Sequence, residues 1–188
     1  MARWEPDSRG RLVQAALVLY AERGFENTTV AEIAARARLT ERTFFRHFAD
    51  KREVLFWGAA ALEELLVSAV EAAPESDSPI EAITRALEAT GPMFEERRDF
   101  ARQRQRVIDA STELRERELI KLASLASALA DALRRRGVAE PAATLTAEAG
   151  IAVFRVAFAR WVSDSDSPGL RHFIRESLGE LQTVTAGR

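Results

Sequence analysis

The sequence contains no cysteine and only two histidines, His47 and His172, among its 188 residues. The lack of cysteine excludes disulfide bonds and thiolate metal ligands, and it is typical of proteins in a reducing compartment. The two imidazoles lie in different halves of the chain, which argues against a histidine-based metal centre. We therefore predict no metal site and no cofactor.

Membrane and enzyme signatures are missing as well. No apolar run approaches the roughly 18 residues of a membrane span, and the N-terminus lacks the apolar core of a signal peptide. The chain also has no Gly-x-Ser-x-Gly, no phosphate-binding glycine loop and no His-Glu-x-x-His. We expect a cytoplasmic protein that has no membrane partner and is not an enzyme.

Charge is small overall but unevenly distributed. The net charge is −2, yet residues 1–52 carry a charge of +3 and residues 53–188 a charge of −5. A basic N-terminal part beside an acidic remainder is the distribution expected when only the first part meets a polyanion such as DNA.

Apolar residues recur at helical spacing and no segment shows the alternation of a strand, so the pattern predicts an all-α protein. Glycine and proline mark most of the predicted ends. Outside the short helices discussed next, the predicted helices cover residues 8–23, 51–72, 80–90, 93–109, 112–136, 144–162 and 170–183.

The segment 28–51 predicts two short helices joined by a tight turn. In the first helix, Val30, Ile33 and Ala34 share one face. In the second, Phe44 and Phe48 are one turn apart and share a face.

Thr40 has the residue type of an N-cap at the start of that second helix. The side opposite the phenylalanines carries Arg42, Thr43 and Arg46. This is the build of a DNA-reading helix-turn-helix. A plain amphipathic hairpin with a solvated charged face would have the same spacing, so spacing alone leaves both interpretations open.

The segment resembles the DNA-binding domain of the tetracycline-repressor (TetR) family of one-component regulators. The matching residues are Thr28, Thr29, Val30, Ile33, Ala34, Thr43, Phe44, His47, Phe48 and Lys51. The resemblance implies an N-terminal three-helix DNA-binding domain, residues 1–52, and a helical effector-binding and dimerisation domain, residues 53–188. Together with the charged face, it implies DNA contacts by Thr29, Thr40, Glu41, Arg42, Thr43, Phe45, Arg46, His47 and Lys51.

The segment departs from the family pattern at three positions. Arg38 stands in the turn where family members often have glycine, and a left-handed conformation there would cost about 1 kcal/mol. Arg42 replaces a second common glycine and adds a long cationic side chain. Phe45 replaces the usual tyrosine, which keeps the ring but loses a hydroxyl that could bond a phosphate.

The helix predicted over residues 144–162 is apolar on most sides, with 13 apolar residues among its 19. It could be the central helix of a monomeric bundle. We favour a dimer interface shared with the last helix, because TetR-like proteins dimerise in this way and a dimer lets two recognition helices reach successive major grooves. The predicted interface residues are Ile151, Phe154, Phe158, Trp161, Phe173, Ile174 and Leu178.

Aromatic and methionine residues in the middle of the chain are candidates for an effector pocket, although their pattern favours plain core for each of them. The resemblance places such a pocket in the helical bundle. The candidates are Trp57, Met93, Phe94 and Phe100 as apolar lining, with Arg102 and Arg106 as partners of an anionic group. The region has some similarity to the acyl-CoA-like ligand domain of certain TetR members.

The sequence as a whole thus predicts a homodimeric, ligand-responsive transcriptional regulator, a repressor released from a palindromic operator by a small amphipathic effector. Such an effector would be acyl-CoA-like or a hydrophobic drug. The alternative is a helical adaptor protein without DNA binding.

Overall fold

The computed structural model describes residues 7–164 and 168–187, and all regular structure in that part of the chain is helical. The all-α prediction is confirmed. The chain divides into two compact units: Met1–Gly58 with Gln103–Leu119, and Ala59–Arg102 with Ile120–Arg188. This division differs from the predicted boundary after residue 52, because a segment distant in sequence joins the N-terminal unit.

The first unit contains α1 (Ser8–Arg23), α2 (Val30–Arg36), α3 (Glu41–His47) and a 3₁₀ helix, Glu53–Phe56. Each of the three α-helices begins at a side-chain cap, and the apolar faces meet in one core. Its fully or almost fully buried side chains include Leu12, Ala16, Leu17, Tyr20, Phe25, Ile33, Ala34, Phe44, Phe48, Val54, Leu55 and Phe56.

The single long helix predicted over residues 51–72 is wrong. The chain instead makes the 3₁₀ helix, and α4 (Ala59–Glu71) begins only after Gly58. At the break, the Leu55 carbonyl accepts a hydrogen bond from Nε of Arg104 at 2.8 Å. A continuous α-helix would pair that carbonyl with the N–H of Ala59. The bond comes from a side chain far along the sequence, so local periodicity could not reveal it.

Two helices contribute residues to both units: α7 (Arg98–Asp109) and α8 (Thr112–Arg135). Within the first unit, Arg117 pairs with Glu53 at 2.5 Å, and Arg52 pairs with Glu113 at 3.1 Å. The side chain of Leu114 is fully buried. The turn between these helices is therefore fastened to the helix-turn-helix by charge pairs and by apolar contact.

The second unit is built from α4, α5 (Pro79–Ala89), α6 (Gly91–Glu95), α9 (Ala142–Ser163) and α10 (Leu170–Thr185), with the remaining parts of α7 and α8. Helix α5 starts with a capping box between Ser78 and Glu81 and with proline in its first turn. Helices α5 and α9 approach closely at Gly150, where an added Cβ would lie 2.4 Å from Cγ2 of Ile83.

Helix α9 has the length and apolar composition of a membrane span, with a mean hydropathy of 1.4 over its most apolar window. The expectation that no apolar segment is long enough to span a membrane is therefore wrong when helix length and composition alone are considered. Nine α9 residues, including Ile151, Phe154 and Trp161, are buried within the unit. That burial is typical of the core helix of a folded domain.

Candidate nucleic-acid interface

The start of α2 is fixed by a reciprocal cap. The N–H of Glu32 donates to Oγ1 of Thr29 at 3.2 Å, and the N–H of Thr29 donates to Oε2 of Glu32 at 2.8 Å. The hydrogen bond from the Thr29 N–H, together with one from the Thr29 hydroxyl to the same carboxylate oxygen, lowers the pKa of Glu32. Thr29 is exposed, so a ligand could contact it. The cap fixes the position of its side chain before any ligand binds.

Helix α3 is short and is oriented by its buried side. Oγ1 of Thr40 accepts the N–H of Thr43 at 3.2 Å, which caps the helix. Phe44 and Phe48 are buried, with ring centroids 5.4 Å apart, as their spacing predicts. Phe45 lies against Phe44 but is 55% exposed.

The outer side of α3 carries the two arginines that sequence analysis singled out. Arg42 and Arg46 are exposed, as is Glu41, and neither arginine has an ion pair within the described part of the chain. The neighbouring Arg36 is different, because both its terminal nitrogens lie 3.3 Å from the Glu22 carboxylate. Two guanidinium groups are thus available to an external anion.

The turn between α2 and α3 is left-handed at Arg38, where φ is 55°. The Leu39 N–H donates to the Ala34 carbonyl at 2.8 Å, and the Arg38 N–H donates to the Ala35 carbonyl at 3.0 Å. These two bonds form a Schellman motif, which usually has glycine at the left-handed position. Arg38 thus adopts the left-handed conformation considered from the sequence, and the turn keeps the usual geometry.

His47 is half-buried and fixed by a second element. Its Nε2 lies 2.7 Å from Oγ of Ser8 at the start of α1. Burial lowers the pKa of His47, and the positive charges of Arg46 and Arg9 lower it further. A Ser8 hydroxyl that donates to Nε2 leaves Nδ1 as the N–H donor, so a neutral His47 could still bind a phosphate oxygen.

Lys51 does not face outward as a phosphate ligand would. Its Nζ donates to the carbonyls of Phe25 at 2.9 Å and Thr28 at 3.0 Å. The ammonium also lies 4.2 Å from the centroid of the Phe25 ring. An ammonium has three donors, and at least two are directed to backbone carbonyls here. The structure therefore gives Lys51 the role of fixing the turn before α2.

A charged residue that sequence analysis did not select also belongs to this unit. The guanidinium of Arg104 lies 5.0 Å from the Phe56 ring centroid, and its Nη1 is 3.2 Å from Oε1 of Glu118. Only 19% of its side chain is exposed. Arg104 comes from a segment with five arginines in ten residues, where periodicity could not tell which one would be buried.

The six predicted effector residues are divided between the two units. Trp57 and Arg106 belong to the first unit and the other four to the second. Nε of Arg102 donates to the Val162 carbonyl at 2.9 Å, and its Nη2 donates to the Asp164 carbonyl. Arg102 thus satisfies free carbonyls at the C-terminal end of α9. Two of its five N–H donors therefore already have acceptors.

The remaining effector candidates are half-buried. Phe94 lies in an aromatic cluster, with ring centroids 5.2 Å from Phe158 and 5.9 Å from Phe154. Met93 and Phe100 are also half-buried. A cleft of about 490 Å³ in this unit has none of the six predicted residues in its lining, which consists of Gly91, Pro92, Glu95, Gly169, Arg171, His172 and Arg175. Among the described residues, no group of three or more histidine, aspartate or glutamate side chains could hold a metal ion.

The seven predicted interface residues lie largely inside the unit. Phe158 and Leu178 are partly buried against the core, and the other five are buried: Ile151, Phe154, Trp161, Phe173 and Ile174. Helix α9 nevertheless keeps an apolar exposed side, where Leu145 is 65% and Val156 is 53% exposed. The apolar residues of α9 are therefore divided between the core of the unit and its surface.

Comparisons with known proteins agree with the fold and the helix-turn-helix. Residues 12–56 match the family model for bacterial regulatory proteins of the tetR family, and residues 77–186 match the model for the MftR C-terminal domain. The second match alone covers more than half of the chain. The protein belongs to the TetR family of transcriptional regulators.

Among curated proteins, the chain is 39% identical over 82 residues to the HTH-type transcriptional regulator TcmR of Streptomyces glaucescens, covering 44% of this chain and 36% of that protein. It is 34% identical over 80 residues to the HTH-type transcriptional repressor Rv3405c of Mycobacterium tuberculosis, covering 43% of this chain and 40% of that protein. The chain thus spans about two fifths of the length of the curated relatives it matches.

Solved structures share the fold along almost the whole chain. A TetR-family transcriptional regulator of Syntrophomonas wolfei has a TM-score of 0.66 at 17% identity, with 96% of this chain and 95% of that one covered. Thermus thermophilus FadR, a TetR-family transcriptional repressor in complex with lauroyl-CoA, has a TM-score of 0.56 at 22% identity, with 93% of each chain covered.

Proposed function

We propose that the protein is a homodimeric, cytoplasmic transcriptional repressor that binds a palindromic DNA operator through α3 and is released by a small amphipathic effector. The observation that carries the proposal is the outer side of α3. There Arg42 and Arg46 are exposed without ion pairs, on a helix whose opposite side is locked by Phe44. Free guanidinium groups on a rigid, exposed helix are suited to base edges and phosphates in the major groove.

The experiment is a DNA-binding titration. Duplexes that the unmodified chain selects from a random library should be palindromic, and affinity should fall steeply with salt as counterions are released. Arg42→Ala should lower discrimination between selected and random duplexes, whereas Arg36→Ala, which removes a guanidinium paired within the protein, is the matched control. A chain that binds no duplex at low salt would instead favour the helical adaptor protein.

A dimer is needed for a palindrome, and the exposed side of α9 supplies a suitable surface. Leu145, Ala149, Ala152, Val156 and Ala159 follow the four-three spacing by which two helices pack along a seam. We therefore place the interface on this stripe beside the predicted Phe158 and Leu178. The two half-sites of the operator would then be related by the dimer axis.

The stripe can be tested by sedimentation of charged variants. Val156→Glu should dissociate the dimer, because it buries an unpaired carboxylate at the seam. Ser124→Glu, which adds the same charge on the exposed side of α8, should leave it intact. A Val156→Glu variant that stays dimeric would remove the stripe from the interface.

For the effector we propose an apolar body, bound near the half-buried Met93, Phe94 and Phe100, with an acidic group such as that of an acyl thioester. FadR of Thermus thermophilus, which shares the fold, was crystallised with lauroyl-CoA, and this supports the same ligand class here. Because α7 and α8 run without interruption from one unit into the other, a change at α7 could reach the helix-turn-helix. An effector acts only if it binds the two states with different affinity.

Lauroyl-CoA and dodecanoic acid are the first probes. Each should raise the melting temperature and release the selected duplex if it is an effector. If neither these nor a wider panel of amphipathic compounds does so, the ligand class proposed here is wrong, whereas DNA binding by the unmodified chain would be unaffected.

A further inference from the structure

We propose that Arg38 is an additional DNA contact, which binds a backbone phosphate beside the groove that α3 enters. The inference rests on the proposed DNA binding and extends it to a residue of the turn. Arg38 and Asp7 are the non-glycine residues with positive φ in the described part of the chain, at 55° and 75°. Asp7 caps α1, and aspartate tolerates this conformation better than arginine does.

The backbone bonds of the Schellman motif hold the turn, but they would form equally well with glycine, and the Arg38 side chain gains no contact among the described residues that would offset the strain. Its side chain is exposed and makes no ion pair or hydrogen bond within the described residues. Glycine would adopt the same Schellman turn without strain. Strained conformations persist where the surrounding structure enforces them, and they cluster at binding sites, which makes Arg38 a candidate for function.

The charge pairs around the helix-turn-helix single out the same residue. Arg36 pairs with Glu22 and Arg23 pairs with Glu32, so these guanidinium groups are neutralised within the protein. Arg38, like Arg42 and Arg46, has no such partner among the described residues. The unpaired arginines thus run from the turn onto the outer side of α3.

The position of Arg38 fits a phosphate better than a base. It precedes Thr40, the N-cap of α3, by two residues and therefore lies outside the helix. In helix-turn-helix proteins the N-terminal residues of the second helix contact the base edges. A long side chain just before that helix reaches the rim of the groove, where the phosphates lie.

The test combines DNA affinity with protein stability. Arg38→Gly should raise the melting temperature by about 2–4 °C, because it relieves the left-handed strain. At the same time it should weaken binding to a selected duplex and reduce the slope of log K against log salt by about one. A purely structural role could not produce greater stability together with a smaller salt slope.

Two further variants make the result decisive. Arg38→Lys should retain the salt slope, because a point charge is sufficient at a phosphate. Arg36→Ala, which removes a paired cation two residues away, should leave the slope unchanged. The inference is overturned if Arg38→Gly keeps the slope, if Arg38→Lys loses it, or if Arg36→Ala reduces it equally. Failure of the unmodified chain to bind the duplex would instead overturn the proposed function.

Discussion

Two arginines of α3, Arg42 and Arg46, have surroundings opposite to those of two arginines of α7, Arg98 and Arg102. Sequence analysis had proposed Arg102, like the α3 pair, as a contact for an anion. Arg42 and Arg46 are exposed and unpaired within the described residues. Arg98 donates to the Asp164 carbonyl at 2.7 Å, and Arg102 donates to the Val162 carbonyl at 2.9 Å. The first pair has no internal acceptor among the described residues, whereas the second pair already donates hydrogen bonds to backbone carbonyls.

The difference lies in where backbone acceptors remain unsatisfied. Helix α9 ends at Ser163, and the last carbonyls of a helix have no partner within it. Guanidinium groups that satisfy these carbonyls also oppose the negative end of the helix dipole. Arg42 and Arg46 have no such backbone acceptor among the described residues, so their guanidinium groups remain available. The number of arginines in a segment therefore says little about ligand binding until their acceptors are known.

The largest expected effect separates two adjacent phenylalanines of α3. Phe44→Ala should lower the free energy of unfolding by about 3–5 kcal/mol, because a fully buried ring leaves a cavity. Phe45→Ala, at a side chain that is 55% exposed, should lower it by less than about 1 kcal/mol. Urea titration followed by circular dichroism measures both values. Equal losses would mean that α3 is not held by its phenylalanine face.

The next effect compares the two groups of arginines directly. Arg102→Ala should destabilise the protein by about 1.5–3 kcal/mol, because hydrogen bonds from a charged donor to the α9 carbonyls are lost. Its affinity for DNA under folding conditions should not change. Arg42→Ala should do the reverse, with stability within about 0.5 kcal/mol of the unmodified chain and DNA discrimination lower by about 1–3 kcal/mol. Denaturation and DNA titration of the same two variants would test this contrast. The contrast would be contradicted if Arg102→Ala were as stable as the unmodified chain but unable to bind an acidic ligand.

Lys51 gives a third comparison, because family resemblance and structure predict different outcomes for it. Lys51→Ala should destabilise the first unit by about 1–3 kcal/mol through the loss of its bonds to the Phe25 and Thr28 carbonyls. The salt slope of DNA binding, measured where the variant is folded, should stay the same. A slope reduced by about one would show instead that Lys51 contacts a phosphate.

The smallest effect concerns pH. The lowered pKa of folded His47 means that the unfolded chain, with an ordinary value of about 6.5, binds a proton more readily. Stability should therefore fall as pH drops below about 6.5, until the folded imidazole is protonated as well. His47→Gln should reduce this pH dependence in melting experiments. An unchanged profile would assign the acid sensitivity to other groups.

Sequence reasoning succeeded where contacts are local. The cap at Thr40 and the shared face of Phe44 and Phe48 depend on neighbours within a few residues. Local spacing was therefore sufficient to predict the two short helices and their exposed arginines, and the family resemblance identified them as a helix-turn-helix.

Sequence reasoning failed where partners are distant. The break before α4 coincides with the bond from Arg104 to Leu55. Arg98 and Arg102 of α7 donate to carbonyls 66 and 60 residues away. The same limit applies to Phe154 and Trp161. Their apolar character predicted burial but could not distinguish a core from an interface.

The central claim is that the unpaired arginines of α3 bind DNA, and the salt dependence of binding to a selected duplex tests it most directly. The account predicts a steep negative slope of log K against log salt for the unmodified chain, with two chains per duplex. It also predicts a smaller slope when Arg42 and Arg46 are both replaced by alanine. Binding that is absent at low salt, or a slope that the double substitution leaves unchanged, would contradict it.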